Sequence, residues 1–98
     1  MIENLDYTSE SGSIEKNNIT VYALSTCGFC RRGLQFLRDN SIKFKYVYVD
    51  KLEPEVKNKV KDELNEKYKE RVVFPFLVLN EQKVLLGFVE DEWKASLL

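Results

Sequence analysis

Two cysteines separated by two residues are the groups in this sequence best suited to chemistry. Cys27 and Cys30 lie in the segment STCGFC, residues 25–30, and no other cysteine is present in the chain. A close pair of this kind is a structural cross-link, half of a metal site, or a dithiol that exchanges with disulfides. A disulfide across so short a loop restrains the unfolded chain only weakly, because loop-closure entropy grows with loop length. The surrounding sequence must therefore distinguish a metal site from a redox site.

The composition restricts the metal alternative. A closed zinc site needs four ligands, which are typically Cys and His. The chain contains no His and no second pair of cysteines, so a Cys/His site within one chain is excluded. Two chains together provide four thiolates, and a metal or iron–sulfur centre shared across a dimer is therefore the alternative to a redox dithiol.

The elements around the cysteines predict where each thiol lies. Residues 19–24, ITVYAL, form a β-branched and apolar run that indicates a buried strand. Apolar residues then recur with helical spacing from Cys30 to Leu37, which predicts a helix that ends near residues 39–40. Cys27 should stand at the entrance of this helix and Cys30 on its apolar face.

This placement predicts that the two thiols differ in ionisation. Free backbone N–H groups and the positive end of the helix dipole stabilise an anion at a helix N-terminus. Arg31 and Arg32 follow at once and add positive charge. These effects should lower the pKa of Cys27 from about 8.5, while the more buried Cys30 stays protonated. We expect Cys27 to attack a substrate disulfide and Cys30 to resolve the mixed disulfide.

The rest of the chain indicates one α/β domain. Residues 1–17 are polar and lack sustained periodicity, so we expect a flexible lead-in to a domain over residues 18–98. The element order β-α-β-α-β-β-α predicts a four-stranded mixed sheet flanked by helices. After the first strand and helix, strands are expected over residues 44–50, 76–80 and 83–88, and helices over residues 54–68 and 91–98.

Composition and charge restrict the partners and the cellular compartment that we expect for this protein. The net charge of −1 argues against nucleic acid or an anionic membrane as a partner. No apolar stretch approaches the roughly 18 residues that span a bilayer, and the N-terminal residues do not form a secretory signal. We therefore expect a cytoplasmic protein; we also expect it to act as a monomer. In that reducing compartment a close cysteine pair is more often catalytic or metal-binding than structural.

From residue 19 to residue 98 the sequence resembles the glutaredoxin branch of the thioredoxin-fold proteins. The resemblance rests on VYALSTCGFC and on Phe74-Pro75 before the third predicted strand. It implies a thioredoxin-like fold with a cis-proline facing the cysteines. It also implies that the residue before this proline offers its backbone to an extended substrate. The implied activity is a thiol–disulfide oxidoreductase that reduces protein disulfides and needs no bound cofactor.

Several positions depart from the glutathione-using members of that family. Leu24 stands where they usually carry Lys, and Val73-Phe74 stands where they carry Thr-Val. Their Gly-Gly and following Asp, which hold the glutamyl end of glutathione, are only partly matched by Gly87 and Asp91. These departures count against glutathione binding.

Two further resemblances bear on partners. Residues 86–91, LGFVED, are similar to a segment of NrdH-type redoxins, which take electrons from thioredoxin reductase; Glu90 replaces a proline there. The electron donor is thus expected to be a thioredoxin reductase-like enzyme or glutathione. CGFC also differs only at Cys30 from the Cys-Gly-Phe-Ser of monothiol glutaredoxins, which hold an iron–sulfur cluster between two subunits.

The expected substrate-binding residues beside the cysteines are Phe29, Phe74, Pro75, Gly87 and Phe88. For Gly87 the other interpretation is a turn, and for Phe88 it is core packing.

Overall fold

A computed structural model describes residues 2–98, which form five strands and three helices. Two short 3-10 turns, Ile2–Asn4 and Val49–Lys51, complete the regular structure. No helix among these residues has the length and apolarity needed to cross a membrane. The elements in chain order are β1 (Thr8–Glu10), β2 (Ile19–Ala23), α1 (Gly28–Asp39), β3 (Phe44–Tyr48), α2 (Pro54–Tyr68), β4 (Phe76–Leu79), β5 (Lys83–Leu86) and α3 (Glu90–Leu97).

The strands form one mixed sheet in the order β1-β3-β2-β4-β5. β2 and β3 are parallel and are joined through α1, whereas β4 pairs antiparallel with both β2 and β5. The predicted crossover and closing hairpin are therefore confirmed. Because β2 and β3 are parallel, their C-terminal ends lie at the same edge of the sheet. The cysteine loop follows β2 at that edge.

Alternation along the strands divides the core into two hydrophobic clusters. Ile19, Val21 and Ala23 of β2 belong to the first cluster, and Tyr22 belongs to the second. α1 and α3 pack into the first cluster, and α2 packs into the second. The helices thus flank both faces of the sheet, as the sequence predicts. The helical residues buried in the first cluster are Cys30, Leu34, Phe36, Leu37, Trp93 and Leu97, and those in the second are Val60 and Leu64.

The N-terminal segment differs from the expected flexible lead-in and adds a fifth strand to the predicted four. Residues 8–10 pair antiparallel with β3 and cover its outer edge. Arg38 of α1 forms a bidentate ion pair with Glu10, at 2.6 to 3.0 Å. β1 is polar and three residues long, so it carries no apolar alternation that sequence reasoning detects. Met1 lies outside the described residues, and the domain boundary at residue 18 stays a prediction.

Three strands end earlier than the sequence predicts, each for a local reason. β3 stops at Tyr48 because residues 49–51 turn into a 3-10 helix. β4 stops before Asn80 and β5 before Gly87, whose φ angles of 54° and 69° lie in the left-handed region. Positive φ is incompatible with continued β structure, and glycine adopts it without steric cost.

The packing of α1 against α3 depends on a glycine in the middle of α1. A Cβ atom at Gly33 would lie 2.9 Å from Cη2 of Trp93 and 3.5 Å from Cδ1 of Phe88. The Trp93 ring is only 1% exposed, and its Nε1–H donates to the carbonyl of Gly87 at 3.1 Å, so the ring has no room to move aside. The close approach therefore sets the position of α1, and with it that of Cys30.

Replacing Gly33 with Ala should lower the free energy of unfolding by about 1–3 kcal/mol, because the added methyl overlaps a buried ring. Chemical denaturation followed by circular dichroism measures the change. Gly28→Ala is the matched control, since the nearest atom to its added Cβ would be 3.9 Å away. A Gly33→Ala protein as stable as the wild type would contradict this account of the helix packing.

Candidate active site

Cys27 is the N-cap residue of α1. Its backbone is extended, with φ −96° and ψ 121°, and its carbonyl accepts the N–H of Arg31 at 3.0 Å. Its Sγ accepts the backbone N–H of Cys30 at 3.3 Å. The sulfur therefore takes the place that a serine or aspartate oxygen often occupies at a helix start. The structure thus places Cys27 at the helix entrance, as the sequence predicts.

Cys30 lies one turn further along α1 and is only 1% exposed. It belongs to the first hydrophobic cluster, and its Sγ accepts the backbone N–H of Leu24 at 3.4 Å. Cys27 packs at the edge of that cluster and is half-buried. Both thiols are free. The pair therefore consists of one thiol that solvent reaches and one that it does not.

Hydrogen bonds and charge lower the pKa of the Cys27 thiol. Burial raises the pKa, but hydrogen bonds from the Cys30 thiol and from backbone N–H groups of the first helical turn outweigh it. The guanidinium charge of Arg31 acts in the same lowering direction. The thiolate fraction of Cys27 at neutral pH is consequently larger than that of an ordinary cysteine.

The same surroundings act on Cys30 in the opposite direction. Burial, followed by the hydrogen bond to Cys27, raises the pKa of the Cys30 thiol to about 12. The negative charges of Cys27 and Asp50 raise it further, whereas the N–H of Leu24 lowers it. At neutral pH the Cys30 sulfur keeps its proton, and Cys27 is the more readily ionised of the two thiols.

The loop before Cys27 is held by a carboxylate that the sequence analysis missed. The backbone N–H of Ser25 donates to Oδ1 of Asp50 at 2.9 Å, and the Ser25 hydroxyl donates to Oδ2. The hydrogen bond from this hydroxyl keeps the pKa of Asp50 below its usual value. This contact could have been predicted from the order of the elements. Ser25 and Asp50 each follow one of two parallel strands, so they lie at the same edge of the sheet.

The structure brings three of the expected substrate-binding residues together. The Phe74-Pro75 peptide bond is cis, as the family resemblance implied. Pro75 is buried, and its carbonyl accepts the N–H of Gly87 at 2.9 Å. Phe74 is half-buried and packs against both hydrophobic clusters, the first of which also contacts Cys27.

The other two aromatic candidates have different surroundings. The Phe88 ring packs at 4.9 Å from the Trp93 ring and 5.8 Å from the Phe36 ring, between centroids, which is a core-packing position. Phe29 is 58% exposed beside the cysteines, and the Arg32 guanidinium lies 5.3 Å from its ring centroid. Arg32 therefore packs against the Phe29 ring. A role for either phenylalanine in substrate binding stays a prediction.

The arrangement of the two sulfurs fits thiol–disulfide exchange. An accessible thiolate attacks a disulfide, and a protonated thiol beside it becomes the second nucleophile when it loses its proton. In the part of the chain that the structure describes, no group of three or more His, Cys, Asp or Glu side chains is placed to hold a metal ion.

Comparison with known proteins gives a family and several similar structures. Residues 19–84 match the model of the glutaredoxin family. No curated protein gives a significant match to the chain. Among solved structures, the glutaredoxin of Methanosarcina mazei Go1 is 33% identical, with a TM-score of 0.78; the match covers 93% of this chain and 86% of that one.

Two other archaeal structures are similar over most of their length. The Methanosarcina acetivorans methanoredoxin is 34% identical, with a TM-score of 0.81, and the match covers 92% of this chain and 94% of that one. The glutaredoxin of Archaeoglobus fulgidus is 31% identical, with a TM-score of 0.70; the match covers 82% of this chain and 85% of that one. The thioredoxin-like fold expected from the sequence is therefore confirmed.

Alkylation of the reduced protein should separate the two thiols. We expect the rate of Cys27 alkylation by iodoacetamide to rise with pH to half its maximum below about pH 8.5, the midpoint of an ordinary cysteine, because only the thiolate reacts. Peptide mass spectrometry should show Cys30 unmodified over the same range. A Cys27 midpoint at or above that of free cysteine would contradict the assigned hydrogen bonds.

Proposed function

The chain belongs to the glutaredoxin family, and we propose on that premise that it reduces disulfides of other proteins through Cys27 and Cys30. The family and the fold support a thiol–disulfide oxidoreductase role. The observation that carries the proposal is the inequality of the two sulfurs. One is half-buried at a helix N-cap with a lowered pKa, and the other is buried with a raised pKa.

In the first step the Cys27 thiolate attacks one sulfur of the substrate disulfide. A bond forms between Cys27 Sγ and that sulfur, and the substrate disulfide bond breaks. The other substrate sulfur leaves as a thiolate and takes a proton from solvent. The hydrogen bonds at the N-terminus of α1 raise the population of the attacking thiolate.

In the second step Cys30 releases its proton to solvent, and its thiolate attacks Cys27 Sγ. The Cys27–Cys30 disulfide forms, the mixed disulfide breaks, and the second substrate thiolate leaves. The protein has then given two electrons to the substrate and is itself oxidised. The i, i+3 spacing on α1 keeps the two sulfurs on one helix face, so the attack needs only a small rotation of the side chains.

We assign substrate contact to the surface around Phe29, Phe74 and Pro75, with Gly87 and Phe88 behind it. Phe74 packs against the same hydrophobic cluster as Cys27, and the burial of Pro75 and the hydrogen bond from Gly87 hold this segment in place, which supports the assignment. The exposed ring of Phe29 offers apolar surface next to the attacking sulfur. We further propose that the protein acts as a monomer in the cytoplasm, where thiols stay reduced.

Replacing Cys30 with Ser should trap the mixed disulfide. With insulin as the disulfide substrate, multiple-turnover reduction should fall by at least about tenfold, because an intramolecular nucleophile is lost. Mass spectrometry under non-reducing conditions should then show one insulin chain bound through Cys27. The matched control, Cys27→Ser, should form no adduct. Unchanged turnover of the Cys30→Ser protein would contradict the role of Cys30.

The electron donor is tested by NADPH consumption in two coupled reactions. Because Leu24 replaces the lysine that meets a glutathione carboxylate, we expect faster turnover with thioredoxin reductase than with glutathione and glutathione reductase. Activity with glutathione alone would contradict this assignment of the donor.

A separate observation tests the alternative function. A brown dimer that loses its colour with chelator, after anaerobic preparation, would favour an iron–sulfur carrier over the dithiol enzyme.

A further inference from the structure

A carboxylate joins the end of β3 to the loop that carries the cysteines. The 3-10 turn after β3 presents Asp50 to Ser25, and both donors of Ser25 bind the carboxylate, the N–H at Oδ1 and the hydroxyl at Oδ2. Two donors from one residue on one carboxylate fix the orientation of that residue as well as its distance. Ser25 is therefore held rigidly against the sheet.

We call the two hydrogen bonds from Ser25 to Asp50 the Asp50 clamp. The loop residues next to Ser25 connect this clamp to the two sulfurs. The N–H of Leu24, directly before Ser25, donates to Cys30 Sγ at 3.4 Å. The N–H of Cys27 donates to the carbonyl of Leu24 at 3.3 Å, which closes a turn around Ser25. The Asp50 clamp thus holds the centre of a loop that touches one thiol and bears the other.

The same contacts bring the charge of Asp50 near Cys30, because the carboxylate accepts the N–H of Ser25 and the neighbouring N–H of Leu24 donates to Cys30 Sγ. The Ser25 hydroxyl, the backbone N–H of Ser25 and the charge of Lys51 keep the pKa of Asp50 low, so Asp50 is ionised at neutral pH. Two negative groups oppose ionisation of Cys30, namely the Cys27 thiolate and the Asp50 carboxylate. When Cys27 enters a mixed disulfide its sulfur becomes neutral. Of these two negative groups, only the Asp50 carboxylate then still opposes the ionisation of Cys30.

We propose that Asp50 is a positioning residue that orients the cysteine loop through Ser25, and that its negative charge, held next to the Leu24 N–H that binds Cys30 Sγ, slows the second step. This inference rests on the proposed dithiol function. In that step the proton of Cys30 goes to solvent, the Cys27–Cys30 bond forms, and the bond from Cys27 to the substrate sulfur breaks. Asp50 takes part in none of these bonds and acts through the Cys30 thiolate population.

The two steps can be timed separately with dithiodipyridine, an uncharged disulfide whose thiopyridone product absorbs light. Mixed with an equal amount of reduced protein in a stopped-flow instrument, it should release one thiopyridone when Cys27 attacks and a second when Cys30 does. Asp50→Asn is the informative variant, because the amide oxygen still accepts the N–H of Ser25 while the charge is lost. Asp50→Glu restores the charge, Ser25→Ala removes the hydroxyl contact alone, and Asp62→Asn is the matched control on the exposed side of α2.

At neutral pH the Asp50→Asn protein should show an unchanged first phase and an accelerated second phase. Loss of one solvent-screened charge raises the thiolate population about threefold. The rate should rise by about twofold, since the nucleophilicity of a thiolate falls with its pKa. The second-phase rates of Asp62→Asn and wild-type protein should agree, and Asp50→Glu, which keeps the charge, should show no acceleration. In Ser25→Ala protein the second phase should not accelerate.

Two results would contradict different parts of this account. A second phase in Asp50→Asn protein that is as slow as wild type, or slower, would overturn the assigned effect of the Asp50 charge while the dithiol function stands. Release of a single thiopyridone by the wild-type protein would overturn the dithiol function and the inference with it. A pH series from weakly acidic to weakly basic buffers adds a check, because the wild-type and Asp50→Asn second-phase rates should rise in parallel with a constant ratio.

Discussion

The hydrogen bond from the backbone N–H of Cys30 to the sulfur of Cys27 connects the fold of this protein to its chemistry. It satisfies one of the N–H groups that every helix leaves free at its start, and it stabilises negative charge on the sulfur that accepts it. The residue that donates the N–H also carries the second thiol. Formation of the first turn of α1 therefore creates an activated sulfur and places its partner one turn away.

The packing that holds α1 in place also sets the difference between the two thiols. Cys30 faces the first hydrophobic cluster, and its burial is the largest cause of its raised pKa. The approach of Trp93 to Gly33 fixes how far α1 sinks toward the sheet, and the Asp50 clamp fixes the loop at its start. A shift of α1 outward would expose Cys30 to solvent and reduce the contrast on which the order of the two steps depends.

The central strands and the first helix could be predicted from the sequence, whereas the edge strand β1 and the contact between Ser25 and Asp50 could not. Apolar runs and helical spacing predicted β2, α1 and the parallel crossover, because each of these elements buries one face or both. β1 was not predicted because its three polar residues show no alternation of apolar and polar side chains. The strand is held by its pairing with β3 and by the ion pair between Glu10 and Arg38. The clamp between Ser25 and Asp50 joins residues 25 positions apart, and only the parallel register brings them together. Phe88 fitted both substrate contact and core packing; its ring packs against Trp93 and Phe36 at the edge of the first cluster, and its role in substrate contact stays a prediction.

The most direct test of this account follows the two cysteines individually by NMR. In the reduced protein with isotope-labelled Cβ atoms, the chemical shift of each cysteine reports its ionisation as pH is raised, although coupled groups share their macroscopic titration steps. The account predicts that Cys27 titrates first, below the range of an ordinary thiol, and that the larger change at Cys30 follows in strongly basic solution. If Cys30 titrated first, or both changed together near the value of free cysteine, the central claim would be wrong.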